Sequence, residues 1–278
     1  MSELSDKVLS DLTRAIENDE LVLPTLPEVA LSVRRAAQDP DISIGTLASE
    51  IGSDAALTTR LIKVANSPLL RAHKDITDLH TAISRLGINY TCTLATGLAM
   101  EQIFQATSPM VDRKMREVWR KSSEIAGMCY MLCRHYTRLA PNEATLAGLV
   151  HRIGALPILT YAEQHPEILT DARALDQVIE QAHPLLGDRI LRHWEMPEPI
   201  VSVPGNYLDF SRNSPRVDYI DIVQVATLLS YIGTEHPCTQ LEWSEIPAFA
   251  KLGLDPNVDM HNDVELHESM NDATGMLP

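Results

Sequence analysis

The chain has 278 residues, 45% of them hydrophobic, enough for one large core or two smaller lobes. Its 38 acidic and 23 basic residues leave a formal net charge of −15, a field that repels polyanions and disfavours general nucleic-acid or anionic-membrane partners. The start, Met1-Ser2-Glu3-Leu4-Ser5-Asp6, lacks the basic and apolar parts of a secretory signal, and no apolar run approaches the roughly 20 residues that span a bilayer. A cytoplasmic protein with no membrane partner is the expectation.

Apolar residues recur with a period near 3.6 almost throughout, so the expected fold class is all-α, with two helical lobes packed together. Leu4, Val8, Leu12 and Ile16 step by four and predict a first amphipathic helix within residues 1–19. An extended stretch then leads to Pro27, suited to the first turn of a helix that reaches Gln38 and stops before Pro40. Ser43 caps a short helix through Ile51, and Asp54 caps the next through Asn66. Thr77 or Asp78 opens a helix ending at Gly87, and another covers 89–104 with Leu94, Leu98 and Ile103 inward.

Polar residues and proline interrupt the pattern over 105–109, which places a first lobe at 20–108 and a second at 109–235. The second lobe opens on a long helix from about 112 to 138. Asn142 is the expected cap of the helix carrying His151, and further helices are expected over 155–164, 173–182, 184–194 and 217–232. Residues 236–278 form an extension. From Asp255 onward it has six acidic residues and no lysine or arginine, and it reads as a solvated tail or a surface strap.

Several local patterns point to chemistry and carry little. Cys129 and Cys133 lie one helical turn apart and could form half a zinc site, but without a second pair they read as small buried residues. Ala48 and Gly52 resemble the interior of a helix-turn-helix. The second helix, however, opens Asp54-Ala55-Ala56-Leu57 and offers DNA only Arg60, Lys63 and Asn66, so DNA is disfavoured as a partner. No phosphate-binding Gly-x-x-x-x-Gly-Lys loop, Gly-x-Ser-x-Gly elbow or dinucleotide fingerprint occurs.

Four runs carry more as a set: Leu23-Pro24-Thr25-Leu26-Pro27-Glu28-Val29; Asp39-Pro40-Asp41-Ile42-Ser43; residues 51–67, with Asp54-Ala55-Ala56-Leu57 at their centre; and Ala82-Ile83-Ser84-Arg85-Leu86-Gly87. Their order and spacing over residues 20–230 resemble the HDOD family, the HD-related output domains. The resemblance implies an all-helical domain, related in its second half to HD phosphohydrolases and used in bacterial signalling. HD enzymes hold a metal with a histidine, a His-Asp pair and a later aspartate, because a cation generates hydroxide and offsets phosphoryl charge.

At the matching positions this chain departs from that pattern. The family's Trp-x-His-Ser reads Trp119-Arg120-Lys121-Ser122, the His-Asp pair reads His151-Arg152, and the later Ala-Asp falls at Ala226-Thr227. His183 resembles a further histidine of two-metal relatives, while Asn206-Tyr207 stands where a His-His pair is expected. The other eight histidines show no ligand spacing. An ammonium and a guanidinium repel a cation, so no catalytic residue, metal or other cofactor is expected, with a divalent metal as the alternative.

The first reading is a non-catalytic regulatory domain that binds a signalling protein in trans. The alternatives are an HD-type phosphohydrolase acting on a nucleotide or phosphoester, and a sensor in which Lys121, His151, Arg152 and His183 converge on a small anion or nucleotide phosphate. Pairing of Arg152 with a carboxylate such as Glu124 competes with that last reading.

Overall fold

The structure, a computed structural model, describes residues 23–70, 75–165 and 172–256, together with residues 10, 14, 169, 272–274 and 276–277. The helix expected within 1–19 and the histidines at 73, 261 and 267 lie outside the described residues. Among those described, the chain forms twelve α-helices, a few 3-10 turns and no strand.

The first helices begin where the capping residues stand. Ser43, Asp54 and Asp78 accept from the backbone N–H of Thr46, Leu57 and Thr81 at 3.0, 2.9 and 2.8 Å. They open α2 (Ile44–Gly52), α3 (Ala55–Ala65) and α4 (Leu79–Leu86), after α1 (Glu28–Ala37). Gly87 takes a φ of 83° between α4 and α5 (Ile88–Ala99), a conformation open to glycine because it has no Cβ. The helix expected to reach residue 104 ends at Ala99 and tightens into a 3-10 turn, Met100–Ile103.

The remaining helices are α6 (Pro109–Tyr136), α7 (Pro141–Val150), α8 (Ala155–Gln164), α9 (Ala172–His193), α10 (Glu198–Asn206), α11 (Tyr219–Leu229) and α12 (Pro247–Leu252). Three differ from expectation. α7 starts on Pro141 behind Ala140, and the Asn142 amide instead reaches the Thr93 hydroxyl of α5 at 3.4 Å. The two helices expected over 173–194 are one, α9, which runs through Pro184. In the turn that this proline loosens, the His183 ring reaches back to the Ile179 carbonyl. α10 is short and carries Pro204 in its interior, so its proline content masked it.

α7 is the centre of the molecule, with every residue from Ala144 to Val150 buried. Its closest neighbour is α6, and Gly148 makes that approach possible, since a Cβ there would fall 2.5 Å from the Ala126 Cα. α5 docks on the same helix: a Cβ on Gly97 would fall 2.5 Å from Leu149 Cδ1. The interior of residues 23–108 is therefore continuous with that of the later helices in one hydrophobic core. Leu57, Leu61, Val64, Leu94 and Leu98 are all fully buried in it. Of the extension, residues 257–271, 275 and 278 lie outside the described residues. Ala273, Met276 and Leu277 are buried, and the Ala273 carbonyl lies against Gly127 of α6. No helix among the described residues is long and apolar enough to cross a membrane.

Candidate functional site

α7 ends at Val150, and residues 151–154 turn directly into α8. Gly154 decides where this turn sits. A Cβ there would stand 2.0 Å from the His183 carbonyl oxygen and 2.5 Å from the Gly187 nitrogen, both backbone atoms of α9. The absence of a side chain thus presses His151 and Arg152 onto α9.

His151 is 1% exposed, and its Nδ1–H donates to the Gly148 carbonyl at 2.6 Å. Burial, and after it the charge of Arg152, push its pKa down to about 3, so the ring is neutral. His183 is also fully buried; its Nδ1–H donates to Ile179 O at 2.7 Å and its Nε2 accepts from the Tyr207 hydroxyl at 2.7 Å. The same two causes push it down to about 4. The Tyr207 ring meets His151 edge-on at 4.9 Å between centroids and His183 at 5.7 Å. Tyr207, where the family resemblance expects a His-His pair, thus joins both histidines in a buried cluster.

The two cations behave differently from the histidines. Arg152 Nη2 pairs with Glu180 Oε1 of α9 at 2.5 Å, so it has the nearby carboxylate partner that competes with the anion-sensor reading, though that partner is not Glu124. Glu124 is instead held by Lys121, one turn before it on α6, at 3.2 Å to both oxygens. The Lys121 ammonium also donates to the Ser230 carbonyl at 3.4 Å and lies 5.7 Å from the centroid of the Tyr231 ring. Thr227, one turn before Ser230, is buried with a hydroxyl that finds no hydrogen-bond partner among the described residues.

Lys121 and Arg152 open onto one cleft of about 720 Å³, walled by α6, α9 and residues 230–238, whereas His151 and His183 lie behind its wall. Most residues of this cleft, Lys114, Glu180, Tyr231 and His236 among them, were not singled out as site residues from the sequence. Lys114 is seven residues before Lys121 and so on the same face of α6, a spacing that could have been noticed. Glu180 and the stacked pair of Tyr231 and His236, 3.6 Å apart and 4° from parallel, gave no local signal. Burial pushes the Tyr231 hydroxyl up to about 12.

The family fold implies a metal, and the donor set here does not fit one. Two of the four matching positions carry fixed positive charge and Thr227 offers only a hydroxyl, which leaves His151, with its Nδ1–H given to the Gly148 carbonyl, as the one remaining donor of the four. Among the described residues, no three His, Cys, Asp or Glu side chains are grouped to hold a metal ion. Cys129 and Cys133 are buried free thiols of α6. Two of the three suggested DNA-contacting residues are committed elsewhere: Arg60 pairs with Glu101 at 2.9 Å, and the Asn66 amide bonds both the carbonyl and the N–H of Ile76.

Residues 23–206 match the family model described as "HDOD domain". The chain belongs to the HDOD family. A Shewanella amazonensis SB2B crystal structure named "Putative metal-dependent phosphohydrolase" superposes with a TM-score of 0.87 at 32% identity, over 98% of each chain. An HDOD domain protein with unknown function from Geobacter sulfurreducens has the same fold at 18% identity, with a TM-score of 0.69 over 98% of this chain and 99% of its own. An uncharacterized protein of Treponema pallidum (strain Nichols) is 23% identical over 246 residues, 82% of this chain, and this HDOD chain spans 46% of that protein's length.

Proposed function

We propose that this HDOD chain is a non-catalytic signalling domain that acts by binding another protein. The observation that carries the proposal is the charge at the two positions closest to the cleft. Lys121 and Arg152 each sit in an ion pair, so fixed cations occupy the places from which a histidine and an aspartate would reach a metal. The Shewanella protein's name points the other way, toward a metal-dependent phosphohydrolase. For this chain, Lys121, Arg152 and Thr227 argue against carrying that activity over.

Two measurements decide between these readings. Protein produced with manganese, iron or zinc in the medium is expected to hold substoichiometric metal by elemental analysis and to leave bis(p-nitrophenyl) phosphate intact. Stoichiometric metal with turnover overturns the proposal. The double variant Lys121→His/Arg152→Asp is expected to take up more metal than the parent, because it replaces two repelling charges with two ligands. The protein-binding part is tested by crosslinking and mass spectrometry in cells, where charge-reversing variants on the cleft rim, such as Arg120→Glu, are expected to lose the captured signalling protein.

A further inference from the structure

The cleft beside Lys121 has an internal asymmetry that bears on what enters it. In the Arg152–Glu180 pair the cation side chain is 16% exposed and the carboxylate 47%. In the Lys114–Asp176 pair the values are 26% and 51%. In these two pairs the cation is the more buried partner; in the Lys121–Glu124 pair the two side chains are about equally covered, at 27% and 22% exposed. Across the lining stand Lys114, Arg120, Lys121 and Arg152 against Glu117, Asp176 and Glu180, and Glu124 on Lys121 makes the two signs equal in number, within a chain whose formal charge is −15.

We infer that this cleft binds an organic phosphate of nucleotide size, with Arg152 and Lys121 holding the phosphoryl group. The inference rests on the non-catalytic reading above, because both cations stand where that reading removes the metal. Half-exposed Glu180 holds Arg152 weakly, whereas a phosphate dianion offers three oxygens to the Arg152 fork and to the Lys121 ammonium at once. Arg152 Nη2 spends one of five guanidinium donors on Glu180, and the fork suits bidentate contact with a phosphate. At about 720 Å³ the cleft far exceeds a phosphate and falls in the range of small-molecule pockets. Val118, Ile179 and Leu208 supply apolar wall for the organic body, and Tyr231 and His236 supply rings. Glu180 then acts as the placeholder that the ligand displaces.

The test is calorimetric titration and thermal shift with AMP, CMP, GMP and UMP, and with pyrophosphate as charge without the organic body. At least one nucleotide is expected to raise Tm and to bind more tightly than pyrophosphate. Glu180→Gln, which removes the competing carboxylate from an exposed position, is expected to bind it several-fold more tightly. Arg152→Gln and Lys121→Gln are each expected to lose roughly tenfold or more, the factor for a lost hydrogen bond to a charged group. No stabilisation in either the parent or Glu180→Gln, or undiminished affinity in both Arg152→Gln and Lys121→Gln, overturns the inference. Stoichiometric metal with turnover would overturn the non-catalytic reading while leaving measured affinities standing, so the two failures are distinct.

Discussion

The Tyr207 hydroxyl donates to Nε2 of His183 across 2.7 Å in the buried interior, and the same ring lies edge-on to His151. This bond fixes the His183 tautomer, because Nδ1 must carry the proton it gives to Ile179 O. Tyr207→Phe keeps the ring and removes the donor, leaving a buried acceptor unpaired. The expected cost is about 1–3 kcal/mol in urea unfolding, with the fold retained by circular dichroism.

Acid is expected to destabilise the protein well before its carboxylates titrate. His151 and His183 are held at about 3 and about 4 in the folded chain, against 6.5 when unfolded. Between pH 6.5 and those values the unfolded chain binds protons that the folded chain refuses, so stability is full above 6.5 and falls as pH drops. Each unit of difference corresponds to about 1.4 kcal/mol, so the combined loss is of the order of several kcal/mol. Unfolding followed from pH 7.5 to 4.5 checks the window, and His183→Gln is expected to flatten the slope. A Tm independent of pH over that range contradicts the burial argument.

Gly154→Ala tests the close approach that sets the site. Its Cβ would meet two backbone atoms of α9 rather than flexible side-chain ends, so the turn must move. The expected penalty is about 1–3 kcal/mol or more, together with loss of the Arg152–Glu180 pairing. Gly205→Ala, where a Cβ meets nothing within 4 Å, is the control and is expected to retain parent stability.

A fourth outcome concerns the contact between the first helix and the end of α9. Arg34 Nη1 donates to Trp194 O at 2.6 Å and Nη2 to Glu195 O at 3.2 Å, while the Trp194 indole N–H donates to Pro24 O at 2.8 Å. These bonds satisfy carbonyls just past the helix end, where Glu195 takes a positive φ of 52°. Arg34→Ala is expected to cost about 1–2 kcal/mol. Hydrogen exchange is expected to rise selectively near residues 192–196 and around Pro24.

Local chemistry was readable at several positions where a residue acts on its own neighbours, though not at Asn142, whose amide turns to Thr93 instead of capping its helix. Ser43, Asp54 and Asp78 cap helices through bonds three residues long, and Gly87 sits at a turn that only its own backbone demands. Pro184 misled for a related reason: taken alone it ends a helix, but packing of α9 against α10 and the turn at Gly154 holds the helix together through it. The partner of Arg152 was not readable at all. Glu124 lies in the stretch that the family motif brings near, yet Lys121, three residues away on the same helix, takes it first.

By itself, the sequence determined the all-α class, the capped helices of the first half and the HDOD kinship, and from that kinship it led us to propose Lys121, Arg152 and Thr227 as exchanges at metal-ligand positions. These rest on residue identity and on spacing within a few turns, which are present before the chain folds. Only the tertiary structure decided that the two histidines withdraw onto Tyr207 while the two cations open onto a cleft. That division depends on how closely α7, α8 and α9 approach, and the approach is set by glycine contacts between residues far apart in the chain.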